Sequence, residues 1–365
     1  MTSIKSLFNR TFFPKDSNPQ HFKALDGLRG IAVLIVLLCH SSNIDMHFAP
    51  FLDFNSIGVI GVYLFFVLSA YLLDRQIALA IKNKKANLKY WINYFLRRFF
   101  RIYPLFFASL LFNFVIFQYD KTYALPIYSW EEIGRHLTLQ AGIGVYWSIP
   151  VEFVYYFISP FILLFINYFL KWNISIVVLT LLFGILFADI INSIYNLEKI
   201  STIRFLPLFL SGTIISLIEI FSGAFNNLTK RQSKILGAFG LAAALIVIFT
   251  FRSILEFVFT DIKYTFVLPR NYALYGVLWG TLLLSAKYSK GIIYKILSFK
   301  PLRFIGVISF SVYLFHWPVM KFAAYSGMFP KAIQIYAYVI ISVILSSITY
   351  LLIEKPMSSI RLKGV

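Results

Sequence analysis

The sequence has 365 residues, of which 59% are hydrophobic and only 13% are charged. Soluble domains carry about 25% charged residues, so this composition excludes an ordinary soluble domain and predicts a protein that crosses the membrane several times. The formal net charge is +19, but the basic residues fall mainly between apolar runs, which indicates membrane topology and not nucleic-acid binding.

The chain has one cysteine, Cys39, which lies inside the first apolar run. This excludes a disulfide framework and a cysteine-based metal site. No small-residue cleavage site follows that run, so we expect the first span to be retained. We expect no metal and no permanently bound cofactor.

Apolar runs predict an all-α integral membrane protein, a bundle of about ten transmembrane helices that forms a single domain over 1–365. The predicted spans cover 27–44, 57–81, 104–118, 145–170, 174–193, 204–222, 235–251, 271–287, 303–325 and 332–353. Two further stretches, the basic segment 82–103 and 291–299, are predicted to lie at the membrane surface among the lipid headgroups.

The distribution of lysine and arginine predicts the orientation. Of the 34 Lys and Arg residues, 23 fall in segments on the side of the N-terminus and 8 in segments on the other side. Cytoplasmic segments of membrane proteins carry this excess, so both termini, 1–24 and 354–365, are predicted to be cytoplasmic.

Arg29 and His40 are ionisable residues inside the first predicted span. Placing an arginine in the bilayer costs roughly 2.5–3.5 kcal/mol, so such residues are usually kept for a function. The helix rise puts the two about 16 Å apart along the axis, with Arg29 near the cytoplasm and His40 nearer the outer face. Because a neutral imidazole can remove a proton from an attacking hydroxyl, His40 is a candidate general base.

Glu152 and His316 lie toward the outer ends of two later spans, at a depth similar to that of His40. Three such groups can form a general base with an acidic partner, so we expect Glu152 to take part in catalysis, with the alternative that it is a buried structural partner for an Arg or Tyr. His316 fits a supporting or anchoring role equally well. Pro150, two residues before Glu152, is expected to kink its helix and redirect the carboxylate.

Arg97, Arg98 and Arg101 lie on the predicted cytoplasmic side. Arginines there either anchor a helix at lipid headgroups or bind phosphate with paired hydrogen bonds. Together with Arg29, they predict a site for a phosphate-rich cytosolic ligand such as a nucleotide or coenzyme A, whose pantetheine arm reaches on the order of 16 Å. Asp26 is expected to pair with one of these arginines.

From about Phe22 to Pro356 the chain resembles the acyltransferase 3 family of integral membrane acyltransferases. The resemblance rests on LDGLRGIAVLIVLLCH (25–40), FFVLSAYLL (65–73), RRFFRIYP (97–104), WSIPVEFVYY (147–156), ISFSVYLFHWPV (308–319) and IEKP (353–356). Ala70 stands where the family usually has a glycine after Ser69.

The resemblance implies a membrane O-acyltransferase of the bacterial inner membrane, most often an O-acetyltransferase. It would move an acyl group from cytosolic acyl-CoA, a substrate and not a bound cofactor, to a hydroxyl of an envelope glycan or lipid-linked sugar, such as lipopolysaccharide O-antigen or exopolysaccharide. Arg29 and the arginines at 97–101 would bind the donor, and His40 would be the general base or a transient acyl carrier. The other motif residues would bind the acceptor or support the site: Asp26, Ser69, Trp147, Ser148, Tyr313 and His316.

Two alternatives stay open. One is a transporter or flippase for an acyl donor or lipid-linked sugar, with Arg29 and His40 along its path, although the paired Gly/Pro breaks typical of many transporters are not evident. The other is an O-acyltransferase for a small molecule or lipid. The sequence shows no SGNH-type domain after the last span, so transfer is expected to be completed within the bundle or with another protein.

Overall fold

A computed structural model of the protein describes residues 8–9, 11–13, 22–49, 52–258 and 270–360, and every regular element in those ranges is helical. Most of the predicted cytoplasmic segment 1–24 and part of the tail 354–365 lie outside the described residues. The helices are α1 Lys23–Ser42, α2 Gly58–Lys82, α3 Leu88–Tyr119, α4 Trp130–Leu137, α5 Ser148–Phe169, α6 Ile174–Tyr195, α7 Thr202–Phe221, α8 Lys230–Phe249, α9 Arg252–Val258, α10 Tyr272–Tyr288, α11 Ile292–Leu297, α12 Lys300–Val307, α13 Ser309–Tyr325, α14 Gln334–Thr349 and α15 Lys355–Ser358. A 3₁₀ turn, Gly144–Trp147, precedes α5, and a π-helical turn, Tyr350–Glu354, links α14 to α15.

Eight helices in the described ranges are long and apolar enough to cross a membrane, or nine if the bent pair α12 and α13 forms one span. The protein is therefore a multi-pass membrane protein, and the part of the chain that the structure describes is all-helical. The predicted span 271–287 is α10, whose 17 residues are about 26 Å long against a hydrocarbon core of about 30 Å. The count of about ten spans and the cytoplasmic location of both termini stay predictions.

Two predicted boundaries differ from the structure. Residues 88–103 of the predicted basic segment 82–103 are not a separate element but the first half of α3, which continues through Pro104 as one helix of 32 residues. Conversely, the predicted span 303–325 is broken between α12 and α13, whose axes differ by 79°. The apolar run continues through that break, so hydropathy alone does not reveal it.

Helix α1 is packed among α2, α10, α11, α12 and α13. Gly27 and Gly306 allow the closest approaches, because a Cβ at Gly27 would overlap the carbonyl of Leu297 and a Cβ at Gly306 would overlap that of Asp26. Small residues therefore bring the backbones of α1, α11 and α12 into direct contact. This contact fixes the rotation of α1 and hence the directions of its polar side chains.

Two buried carboxylates hold the helices around α2. Asp74 accepts hydrogen bonds from hydroxyls on α5 and α7, those of Tyr155, Ser159 and Thr213. Glu219 of α7 accepts hydrogen bonds from α2 and α10, through Tyr71 (2.5 Å), Arg75 (2.9 Å) and Lys287 (2.6 Å). Because a buried carboxylate without partners is costly, both groups favour one arrangement of these helices.

Candidate active site

A cavity of about 420 Å³ lies between α1, α2, α3, α5, α13 and the π-helical turn. Its charged lining consists of four arginines and three carboxylates: Arg29, Arg97, Arg98, Arg101, Asp26, Glu152 and Glu354. Three of the predicted hydroxyl residues also line it: Ser69, Ser148 and Tyr313. The structure thus gathers most of the predicted site into one arginine-rich cavity, whereas His40, Trp147 and His316 are not part of its lining.

Asp26 pairs with Arg29, as predicted, and also with an arginine that was not predicted. Arg29 Nη1 lies 3.8 Å from Asp26 Oδ1, and Arg303 Nη2 of α12 lies 3.4 Å from Asp26 Oδ2. Because one carboxylate serves two guanidinium groups, Asp26 does not fully balance the charge of Arg29. An anion in the cavity would complete that balance.

Helix α3 presents its three arginines to the cavity. The guanidinium of Arg98 lies 5.9 Å from the ring centre of Tyr94 and 5.7 Å from that of Tyr156. Its buried Nε has no hydrogen-bond partner among the described residues. A guanidinium held against aromatic rings with an unused N–H group suits an oxyanion. The predicted donor arginines are therefore together, and phosphate binding by them stays a prediction.

Glu152 lies in the first turns of α5 and faces the same cavity. Its Oε1 accepts hydrogen bonds from Ser69 Oγ and from the hydroxyl of Tyr156, each 2.6 Å long. The predicted kink at Pro150 is wrong, because Pro150 lies in the first turn of α5, where a missing N–H breaks no helical hydrogen bond. Glu152 is thus placed with the donor arginines, and its catalytic role stays a prediction.

The structure pairs His40 with His316 and not with Glu152. His40 Nδ1 lies 2.7 Å from His316 Nε2, and the two rings are nearly parallel. His316 Nδ1 faces the carbonyl oxygens of Val312 (3.1 Å) and Tyr313 (2.8 Å), so this nitrogen must carry a hydrogen. In the neutral pair His316 Nε2 therefore accepts the hydrogen of His40 Nδ1, which leaves the lone pair of His40 on Nε2. This orientation is the one that a general base needs, and the catalytic role of His40 stays a prediction.

Tyr313 stands between the cavity and the histidine pair. Its hydroxyl donates to the carbonyl of Val145 (2.6 Å) and accepts a hydrogen bond from Ser148 Oγ (2.9 Å). Its own carbonyl accepts the hydrogen bond from His316 described above. These bonds join α13 to the 3₁₀ turn and the start of α5. Tyr313 therefore closes the cavity on the histidine side.

His136 binds the backbone just before the 3₁₀ turn that contacts Tyr313, a role the sequence did not suggest. Its Nδ1 donates to the carbonyl of Glu132 (2.7 Å), and its Nε2 accepts from the backbone N–H of Ile143 (3.1 Å). The side chain is fully buried, and burial lowers the pKa of His136 below its ordinary value of 6.5. A single histidine in a short connecting helix carries no sequence pattern that indicates such a role.

Glu354 is a second residue that the site prediction omitted. The π-helical turn brings Tyr350 and Glu354 into the cavity lining, and Ser311 Oγ donates to Glu354 Oε2 at 2.7 Å. The IEKP segment was noted in the sequence, but the added residue of a π-helical turn changes which side of the helix each side chain occupies. That rotation is not visible in the sequence.

Comparison with known proteins gives the following matches. A family model described as an acyltransferase domain matches residues 22–351. The chain is 25% identical over 382 residues to the O-acetyltransferase OatA of Staphylococcus aureus (strain NCTC 8325 / PS 47). This alignment covers 95% of the chain and 58% of the relative. The chain is also 25% identical over 341 residues to the peptidoglycan O-acetyltransferase OatA of Listeria monocytogenes. That alignment covers 82% of the chain and 50% of the relative. The chain thus spans between half and three fifths of the length of these relatives. No solved structure matches the chain.

Proposed function

Because the chain belongs to the acyltransferase 3 family, whose model covers residues 22–351, we propose that this membrane acyltransferase moves an acetyl group from cytosolic acetyl-CoA to a hydroxyl of a cell-envelope glycan. One observation carries the proposal: an arginine-rich cavity and an oriented histidine pair lie on the two sides of Tyr313. The cavity suits a phosphate-rich donor, and the histidine pair suits proton transfer from a hydroxyl. We place the protein in the bacterial inner membrane, where both substrates are within reach.

The donor end is the arginine cavity. Its four arginines exceed its three carboxylates by one positive charge when all are ionised, and the phosphates of coenzyme A would increase the negative charge there. Arg29, about 16 Å from His40 along α1, would hold the phosphates while the pantetheine arm extends toward His40. Glu152, anchored by Ser69 and Tyr156, would position the donor along this path.

At the reaction point, His40 Nε2 takes the proton from the acceptor hydroxyl as the hydroxyl oxygen bonds to the thioester carbonyl carbon. The carbon–sulfur bond then breaks, and the thiolate of coenzyme A takes the proton from His40. The products are one ester and one thiol, with no net gain or loss of protons. If the acetyl group rests on His40 first, the same Nε2 forms that bond, so both routes use one atom. In either route the bonds of the Tyr313 hydroxyl open to admit the thioester.

The acceptor is proposed as a class and not as a single polymer. One matched relative is named a peptidoglycan O-acetyltransferase, and the sequence motifs led us to expect lipopolysaccharide O-antigen or exopolysaccharide. All three offer sugar hydroxyls on the outer side. Mild base treatment of each purified polymer, from cells with and without the gene, would show which one carries the acetate.

Replacing His40 tests the proposal. We expect His40→Ala to lower the rate of coenzyme A release from acetyl-CoA in membranes that contain the acceptor by about 100-fold or more, because a general base typically contributes that much. Cys39→Ser at the adjacent position is the control and should retain the rate. A normal rate in the His40→Ala protein would refute the assignment. Movement of a lipid-linked sugar across vesicles without coenzyme A release would instead support the transporter alternative.

A further inference from the structure

A second pocket, which we name the outer pocket, lies where α4, residues 140–143 and residues 198–200 meet. It has a volume of about 340 Å³, within the lower range for small-ligand sites. Its polar lining consists of Glu132, Arg135, Gln140, Glu198 and Lys199. Residues 140–143 lie just before α5, whereas Tyr156, beside Arg98, lies eight residues into that helix, or about 12 Å further along. The outer pocket and the donor arginines therefore lie at different depths in the bundle.

Lys199 connects the outer pocket to the histidine pair. Its Nζ lies 4.9 Å from the ring centre of Trp147, and it forms no ion pair with a carboxylate among the described residues. Trp147 ends the 3₁₀ turn whose Val145 carbonyl accepts a hydrogen bond from Tyr313, and the carbonyl of Tyr313 in turn accepts one from His316. The Lys199 side chain is exposed in the outer pocket, where its ammonium can donate hydrogen bonds. It therefore favours a ligand oxygen that would accept them.

The remaining lining indicates the class of ligand. Arg135 pairs with Glu132 at 3.2 Å, whereas the exposed side chains of Glu198 and Gln140 have no side-chain partner among the described residues. The lining has two positive and two negative side chains, which does not favour a highly charged ligand such as a nucleotide. Carboxylate and amide groups offer paired hydrogen-bonding atoms that match the neighbouring hydroxyls of a sugar.

We infer that the outer pocket binds the sugar units of the acceptor glycan, with Lys199 directing the reacting unit toward His40 and with Glu198 and Gln140 binding its neighbours. This inference rests on the proposed acetyl transfer, because it assigns the second substrate of that reaction. It separates the two substrates: acetyl-CoA occupies the arginine cavity and the glycan occupies the outer pocket. The Tyr313 hydroxyl lies on the path between them.

Site-directed blocking tests the inference in the full-length, detergent-purified protein with Cys39→Ser as background. Glu198→Cys places a thiol in the outer pocket, and Glu131→Cys places one on an exposed position of α4 that is not part of the lining. Each variant is treated with a bulky maleimide. Binding of radiolabelled acetyl-CoA and acetylation of an envelope glycan that the wild-type protein acetylates are measured before and after treatment.

Treatment should lower the rate of glycan acetylation by the Glu198→Cys protein at least about tenfold and leave its affinity for acetyl-CoA unchanged. Treatment should change neither quantity in the Glu131→Cys protein. Equal acetylation by treated and untreated Glu198→Cys protein would overturn the inference and leave the proposed function intact. A wild-type protein that binds no acetyl-CoA and acetylates no envelope glycan would instead overturn the proposed function.

Substitutions of Lys199 test the inference independently. Lys199→Ala should raise the KM for the same glycan about tenfold without changing the affinity for acetyl-CoA, because only acceptor binding is lost. Lys199→Arg keeps the charge and should recover part of that loss. If both variants show the wild-type KM for the glycan, Lys199 has no part in acceptor binding and the inference fails.

Discussion

At the level of single residues, the carbonyl groups that His316 faces decide which nitrogen of His40 would act as the base in the proposed reaction, because they fix the hydrogen on His316 Nδ1. His316→Gln keeps a side-chain oxygen at a similar reach and can still accept the hydrogen of His40 Nδ1, whereas His316→Asn is too short. We expect the Asn variant to lose about 100-fold in kcat and the Gln variant to lose much less, with the KM for acetyl-CoA unchanged in both. Equal losses in both would indicate that His316 only fills space.

The sequence identifies such residues better than it identifies their partners. Arg29 and His40 stand out because ionisable groups are costly inside an apolar run. Residue count along a helix predicts the depth of Glu152 but not the direction of its side chain, which depends on the rotation of that helix. In the structure α5 turns Glu152 toward Ser69 and the arginine cavity. Only packing against neighbouring helices sets that rotation.

At the level of elements, the turn between α4 and α5 depends on neutral His136, which binds the N–H of Ile143. Burial lowers the pKa of folded His136, whereas the unfolded chain binds the proton near the ordinary value of 6.5. The stabilisation is therefore complete above pH 6.5 and is lost as the pH falls through the lowered pKa. His136→Ala should lower the free energy of unfolding by about 1–3 kcal/mol above pH 6.5, because the N–H of Ile143 loses its hydrogen-bond partner.

Thermal unfolding of the purified protein above and below pH 6.5 checks this prediction. The difference in stability between the wild-type protein and His136→Ala should be smaller at the lower pH. His136→Gln can accept from Ile143 but does not titrate, so it should restore part of the stability without the pH dependence. Glu131→Gln, an exposed change on α4, controls for altered surface charge. If the stability difference between the wild-type protein and His136→Ala is the same at both pH values, the proposed role of His136 is contradicted.

The helices themselves were largely predictable, because membrane spans need long apolar runs. The prediction 57–81 corresponds to Gly58–Lys82, and the prediction 174–193 corresponds to Ile174–Tyr195. The features that shape the site were not predictable from hydropathy. These are the 79° bend between α12 and α13 and the π-helical turn that brings Glu354 to the cavity, since both interrupt the helix without interrupting the apolar run.

At the level of the whole molecule, the two pockets lie at different depths, one beside the residues before α5 and the other along the first half of α5, and this gives a direction to the proposed reaction. The excess of lysine and arginine, 23 against 8, lies on the same predicted side as the donor arginines. In the proposed reaction a donor made in the cytoplasm would enter from that side, and a glycan outside the cell would meet the outer pocket. The orientation of the chain therefore decides whether the proposed chemistry has access to both of its substrates.

Cysteine labelling of intact cells checks this orientation. Lys85→Cys lies in the exposed connection between α2 and α3, on the predicted cytoplasmic side, and Glu131→Cys lies on α4, on the predicted outer side. With Cys39→Ser as background, an impermeant maleimide should label Glu131→Cys in intact cells and label Lys85→Cys only after permeabilisation. The reverse pattern would place the donor arginines outside the cell, away from acetyl-CoA. That result would be incompatible with the proposed acetyl transfer, whatever the outcome of the His40 variants.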